Sequence, residues 1–345
     1  MSSSLRRLAV LGIAALWVAG CGSGGGASDS GGGGSFPSRS RGYVLSSFSY
    51  VFPEHDQDPC PGGFTKGPLE MRLEDGMVQP DNCTDPESVS DPGFKTLDGP
   101  ERLDGFDLDG RTSTLAAPAG DECPHEDFSG MSGEHGFDYQ FWRAVGCIRG
   151  FQKGEIAHNV IESAVVNGSM TILIDLEEVD DEINDRAVLA QVFGSTDVPP
   201  IGADGRVLPF ATLSVHELER YHGGIGSGEI VDGVLLAGPM DINLRLNIQI
   251  VEGDQTLRDA YLRMEFLEDG TVRGQMFGYQ PIAEAYNIFG LQAGPAGAEA
   301  LSYTCTGIWD ALRREADGHF DPATGACTTI SVAYQFEAVP AFVAK

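Results

Sequence analysis

Basic residues are scarce in this chain. Twenty-two lysines and arginines stand against 51 aspartates and glutamates, a formal net charge of −29. That balance excludes non-specific nucleic-acid binding, because phosphates are repelled, and it works against close docking on an anionic membrane surface. No CxxC pair and no cluster of cysteine and histidine at finger spacing occurs, so a thiolate zinc site is not expected. There is no Gly-x-Ser-x-Gly nucleophile elbow. The glycine-rich stretch Gly223–Gly228 has no following lysine and no strand–helix context, so it does not make a phosphate loop and reads as a flexible loop between strands. The seven histidines are scattered and propose no catalytic triad.

What the sequence does contain begins at its N-terminus. Arg6 and Arg7 precede an apolar run from Leu8 to Ala19. The run is about a dozen residues long, against roughly 20 for a bilayer-spanning helix, and so fits a signal peptide better than a membrane anchor. It ends in Val18-Ala19-Gly20-Cys21, which resembles the lipobox of bacterial lipoproteins. The resemblance implies cleavage before Cys21, lipidation of its thiol, and anchoring in the cell envelope. Gly22, not aspartate, follows Cys21, which in a Gram-negative host implies the outer membrane. Residues 22–35 are a Gly/Ser tether with nothing to bury.

The expected organisation is therefore a signal peptide (1–20), a lipidated cysteine and tether (21–41), a loop-rich region (42–150) and a β-rich domain (151–345). Setting Cys21 aside leaves Cys60, Cys83, Cys123, Cys147, Cys305 and Cys327, an even number in a chain bound for an oxidising compartment, so three disulfides are expected. They fall into near-equal local couples, and the simplest pairing is 60–83, 123–147 and 305–327. Residues 53–140 are rich in Pro, Gly, Asp and Asn, turn chemistry that requires stapling to be ordered.

Period-2 alternation then takes over. It is clearest from Met240 to Val251, where Ile242, Leu244, Leu246, Ile248 and Ile250 alternate with polar residues. Strands are also expected over 43–52, 169–177, 186–193 and 328–339. Leu262–Phe266 and Thr271–Tyr279 flank a Glu-Asp-Gly turn as a hairpin. Helices are expected only over 281–291 and 307–314. The fold class is mainly β: an antiparallel sandwich or partly closed barrel with a few short helices and a disulfide-stapled, loop-rich N-terminal region.

One stretch concentrates hard oxygen donors. Asp107-Leu108-Asp109-Gly110, then Asp127, then Asp138 offer carboxylates on a turning chain, which suits calcium. The spacing is not that of an EF-hand, since its fifth and twelfth positions would be Arg111 and Pro118. Asp107, Asp109, Asp127 and Asp138 are the candidate ligands. His216 and His222, with Glu217 between, resemble a zinc-protease motif only superficially. A separation of six turns the second ring about 240° from the first on a helix, and the apolar flanks suit a strand. Trp142 and Trp309, each near a cysteine, read as core packing.

The strings Phe106-Asp107-Leu108-Asp109-Gly110, Gly136-Phe137-Asp138-Tyr139-Gln140, Phe141–Cys147 and Asp321–Gly325 resemble an uncharacterised family of exported proteobacterial proteins. Phe137 and Tyr139 depart from that family's Gly-Val-Asp-Asn-Gln pattern. The resemblance implies export and assigns no activity. The expectation is a membrane-anchored, non-enzymatic binding or assembly module, with calcium as a structural ion and a protein or glycan as ligand. The alternative is a secreted hydrolase of glycans or esters that uses acidic residues.

Overall fold

The computed structural model describes residues 39–345, apart from 54–59, 71–80, 92, 98–101, 104, 115–122, 131–132 and 250. Cys21 and the tether lie outside the described residues. In chain order the elements are β1 (Arg39–Tyr50), β2 (Phe128–Ser129), β3 (His135–Phe137), α1 (Gln140–Val145), α2 (Ile156–Val166), β4 (Thr171–Val179), β5 (Asp185–Ser195), β6 (Ala211–Ser214), β7 (His222–Val231), β8 (Val234–Ile248), β9 (Val251–Phe266), β10 (Val272–Pro281), α3 (Ile282–Tyr286), α4 (Gly294–Leu301), α5 (Cys305–Arg314), β11 (Gly318–Asp321) and β12 (Ala326–Ala344). Between α3 and α4 the chain continues as a π-helical turn, Asn287–Gln292.

Eight of the strands pair antiparallel in the order β1-β4-β5-β7-β8-β9-β10-β12. Strand β12 then pairs with β1, Tyr50 opposite Tyr334 and Gly42 opposite Ala341. The sheet therefore closes on itself as an up-and-down barrel, which removes the edges an open sheet would expose. The expected mainly β fold with a few short helices is present, in its barrel form. Strand β1, which lies in the segment expected to be loop-rich, is the strand that closes it.

Alternation explains which way each strand faces. In β9 Gln255, Leu257, Leu262 and Met264 are buried while Glu252, Asp254 and Arg258 are exposed. A polar exterior around an apolar interior is the reverse of a membrane-spanning barrel. Strand β4 is the exception, buried on both faces from Thr171 to Leu176. Its Ile172 and Ile174 point into the main core, and Leu173 packs outward with Val44 and Phe193 beneath Val207 and Leu213 of the β5–β7 connection. That second layer is why 171–176 reads as a continuous apolar run.

Three sequence expectations are corrected. The alternating run expected over 240–251 is two strands: β8 ends at Ile248 and β9 begins at Val251, with Gln249 at φ +51° in the turn. Periodicity continues across so tight a hairpin and hides it. The Gly223–Gly228 segment is not a flexible loop but part of β7. A Cβ at Gly228 would lie 2.4 Å from the Leu236 carbonyl oxygen, and one at Gly223 2.8 Å from that of Val192, so these glycines permit close backbone approach. The disulfides join Cys60–Cys147, Cys83–Cys305 and Cys123–Cys327, not the local couples. All six cysteines are bridged, but each bridge ties distant segments.

The long insertions between β1 and β4 and between β10 and β12 leave from the same end of the barrel. Helices α1 to α5 and the stapled loops gather there. Among the described residues no helix is long and apolar enough to cross a membrane.

Candidate functional site

The segment 123–138 crosses this end of the barrel and carries the densest group of buried charge. Cys123 is bridged to Cys327 at the start of β12. Two residues on, the His125 ring turns inward and is 5% exposed. Its Nδ1 lies 2.9 Å from the Cys123 carbonyl oxygen, which can only accept, so Nδ1 carries the N–H. Its Nε2 faces two carboxylates, Asp138 Oδ1 at 3.0 Å and Asp127 Oδ1 at 3.1 Å.

Each carboxylate is anchored by its other oxygen. Asp138 Oδ2 accepts from the backbone N–H of Leu108 at 2.6 Å and of Asp109 at 3.2 Å. Asp127 Oδ2 accepts from the Ser113 N–H. A third carboxylate arrives from the far end of the chain: Asp317, immediately before β11, accepts from the Ser331 N–H through Oδ1 at 2.7 Å. Its Oδ2 is buried and has no hydrogen-bond partner among the described residues. Donor atoms of His125, Asp138 and Asp317 all lie within 4.8 Å of one another.

The electrostatics follow from this crowding. Burial by itself would depress the His125 pKa, but the hydrogen bonds to Asp127 and Asp138 and the charge of Asp317 outweigh it and push it up to about 11. Burial raises Asp317 to about 7, against the opposing pull of His125, and raises Asp138 in the same direction. Arg143 of α1 closes the group from behind, 4.4 Å over the Phe128 ring, with Nε donating to the Glu126 carbonyl at 3.0 Å.

The four aspartates expected to bind calcium are thus divided. Asp107, Asp109 and Asp138 share one ligand-sized group, and Asp127 sits on the His125 side. Asp107 Oδ1 is already shared by the N–H groups of Gly110 and Arg111 at 2.7 and 3.1 Å, and Asp109 Oδ1 takes the Arg111 N–H at 2.8 Å. Those two residues mainly shape the turn. Sequence reading missed His125 and Asp317. For His125 there was a signal, a histidine between Cys123 and Asp127. Asp317 offered none, since only the β11–β12 hairpin brings it near.

Asp317 also forms part of the floor of an open cleft of about 390 Å³, with Asp109, Asp259, Tyr279 and His319 around it. His319 Nε2 lies 2.9 Å from Asp259 Oδ2, and its Nδ1 lies 2.8 Å from Thr329 Oγ1. Both His319 and Asp259 have positive φ, +49° and +48°, a conformation that costs energy in side chains of this kind and concentrates at functional sites.

A second cavity lies between the barrel mouth and its helical cover. It measures about 160 Å³ and is lined chiefly by Phe48, Leu246 and Ile248 of the barrel and Ala157, Val160 and Phe289 of the cover. At its inner wall the Gln255 side-chain amide donates to the Tyr334 hydroxyl, so two of its few polar groups satisfy each other.

His216 and His222 do not converge on a common ligand. His216 Nδ1 accepts from the Leu218 N–H at 3.0 Å, and His222 Nε2 lies 2.6 Å from the His216 carbonyl. Trp142 is buried beside Phe52 and Tyr139. No family model, curated protein or solved structure matches the chain.

Proposed function

We propose that this protein is a binding module, held at the bacterial envelope by a lipid on Cys21, whose barrel takes a small apolar ligand at its helix-covered end. The apolar cavity between α2, the π-helical turn and the barrel mouth carries this reading. An eight-stranded barrel has an interior that is either filled by side chains or opened just enough for one small ligand. A cavity of about 160 Å³ is close to the size of an engineered one that holds benzene, roughly 150 Å³. It therefore suits a small ring or the end of an alkyl chain, and its lining favours such a group over the protein or glycan expected from sequence. Ile156, at the first turn of α2, lines the cavity and is 43% exposed, an apolar side chain at the rim. The signal sequence, Cys21 and the Gly/Ser tether support the anchored location.

The test is a thermal-shift and NMR titration of the folded domain with benzene, n-hexane and n-hexanol. Saturable shifts confined to cavity residues are expected, and Ala157→Phe should abolish them by filling the space. If none of the three probes perturbs the cavity resonances, the ligand reading fails.

A second reading, hydrolysis in the acidic cleft, is favoured by the His319–Asp259 pair and its backbone strain. On that reading Asp259→Asn removes an ester- or glycan-cleaving activity without altering the fold.

A further inference from the structure

The cluster around His125 is built as a metal-binding site, and its chemistry differs from that expected for calcium. We propose that His125 Nε2, one oxygen of Asp138 and Oδ2 of Asp317 hold a divalent transition-metal ion of the zinc class. This inference is independent of the apolar ligand.

The first ground is proton counting. With Nδ1–H committed to the Cys123 carbonyl, Nε2 offers at most one proton. Asp138 Oδ1 and Asp127 Oδ1 compete for it at 3.0 and 3.1 Å. Asp317 Oδ2, in a residue 4% exposed, has no hydrogen bond among the described residues. A buried carboxylate oxygen without a partner carries the full cost of leaving water. A single proton on Nε2 cannot also serve Asp317 Oδ2, whereas a dication is shared by Nε2, Asp138 and Asp317.

The second ground is geometry. Zinc–nitrogen and zinc–oxygen bonds of about 2.0–2.2 Å place neighbouring tetrahedral ligands roughly 3.3–3.6 Å apart. His125 Nε2 and Asp138 Oδ1, 3.0 Å apart as a hydrogen-bonded pair, need to open only slightly once a metal replaces the proton, and the donor atoms of His125, Asp138 and Asp317 lie within 4.8 Å of one another.

The third is support from behind. Each donor's other atom is held by backbone: His125 Nδ1 by the Cys123 carbonyl, Asp138 Oδ2 by Leu108 and Asp109, Asp317 Oδ1 by Ser331. This is the outer arrangement that fixes the orientation and tautomer of metal ligands. The Cys123–Cys327 bridge holds the His125 segment against the hairpin that carries Asp317.

The donor set then selects the ion. Calcium takes six to eight oxygens, whereas an imidazole nitrogen among carboxylates suits zinc and its neighbours. Asp317 also borders the open cleft, which gives an ion a route to the group.

Protein stripped with chelator, its disulfides intact, is titrated with zinc chloride by calorimetry, with calcium chloride in parallel. One zinc ion per chain is expected to bind and raise the melting temperature, with calcium far weaker. Asp317→Asn and His125→Gln should each lose at least about 100-fold in zinc affinity, and Asp107→Asn should change little. Nitrogen-15 NMR of the imidazole provides a readout on the wild type, independent of whether any variant folds: zinc should replace the proton on His125 Nε2. Retention of that proton at saturating zinc would overturn the proposal. So would the absence of stoichiometric zinc binding, or zinc affinity unchanged in both folded variants. Tighter binding of calcium, lost in Asp107→Asn, would overturn it in favour of an all-oxygen site.

Discussion

The Leu218 N–H donates to Nδ1 of His216 at 3.0 Å, so that nitrogen must carry a lone pair and the neutral ring is the one that fits. Burial and the Arg245 charge both lower the pKa of this ring. The sign of the pH effect follows. An unfolded histidine, near pH 6.5, takes up its proton before the folded one does. The contribution of His216 is therefore fully present above about pH 6.5 and is lost as pH falls towards its depressed folded value. Denaturant melts between pH 7.5 and 5 should show this slope, and His216→Asn should remove it; identical slopes in the two proteins would refute the assignment. Arg143 is a larger case. It is 4% exposed, and its guanidinium donates to the carbonyls of Glu126, Asp127 and Leu97. Arg143→Ala strands those acceptors and removes the ring contact with Phe128, so it should cost about 3 kcal/mol or more in urea unfolding. A loss under 1 kcal/mol would mean that water or a neighbouring chain segment replaces the guanidinium.

At the scale of elements, the disulfides decide how the cover sits on the barrel. The Cys83–Cys305 bridge ties a loop from the first insertion to the start of α5, across 222 residues. On the loop-entropy argument such a bridge contributes about 5 kcal/mol, reduced in practice by other crosslinks and by structure in the unfolded chain. The paired change Cys83→Ala with Cys305→Ala should therefore lower stability by several kcal/mol and loosen α5, visible as faster amide exchange there than in β8 and β9. Equal exchange in both regions would show that packing, not the bridge, holds α5. The same bridges show where sequence reading stops. That six cysteines pair was legible from their even number and from the signal-like run expected at the N-terminus. Which ones pair was not, because near-equal spacing along the chain says nothing about which loops meet over one end of a barrel. Strands with one wet face were legible by alternation in the parts of β8 and β9 over 240–251 and 262–266, but the turn between the two was not. Nor was barrel closure by β1, since a first strand looks the same whether its partner is β4 alone or β4 and β12. Likewise Asp107, Asp109, Asp127 and Asp138 stood out as a group, while His125 joined Asp127 and Asp138 only once its ring direction was known.

At the scale of the whole molecule, charge and attachment act together. A net charge of −29 for the chain repels anionic lipid headgroups, which works against adhesion through the surface of the folded domain. On the proposed anchoring, membrane association rests entirely on the lipid at Cys21, with the Gly/Ser tether keeping the domain clear of the surface. One acyl chain gives only reversible attachment, whereas the multiple chains of a lipoprotein cysteine make it stable. Cys21→Ser should therefore move the protein from the membrane fraction to the soluble fraction of the envelope. It should do so without changing the melting temperature, because none of the three bridges uses Cys21. Raising salt should not release the unaltered protein, since no ion pairs with headgroups are being screened. Fractionation at low and at 1 M salt, with mass analysis of the N-terminal peptide, separates the possibilities. A Cys21→Ser protein that stays with the membrane, or a wild type that salt releases, would place the attachment on the domain itself and remove the anchor from the proposed function.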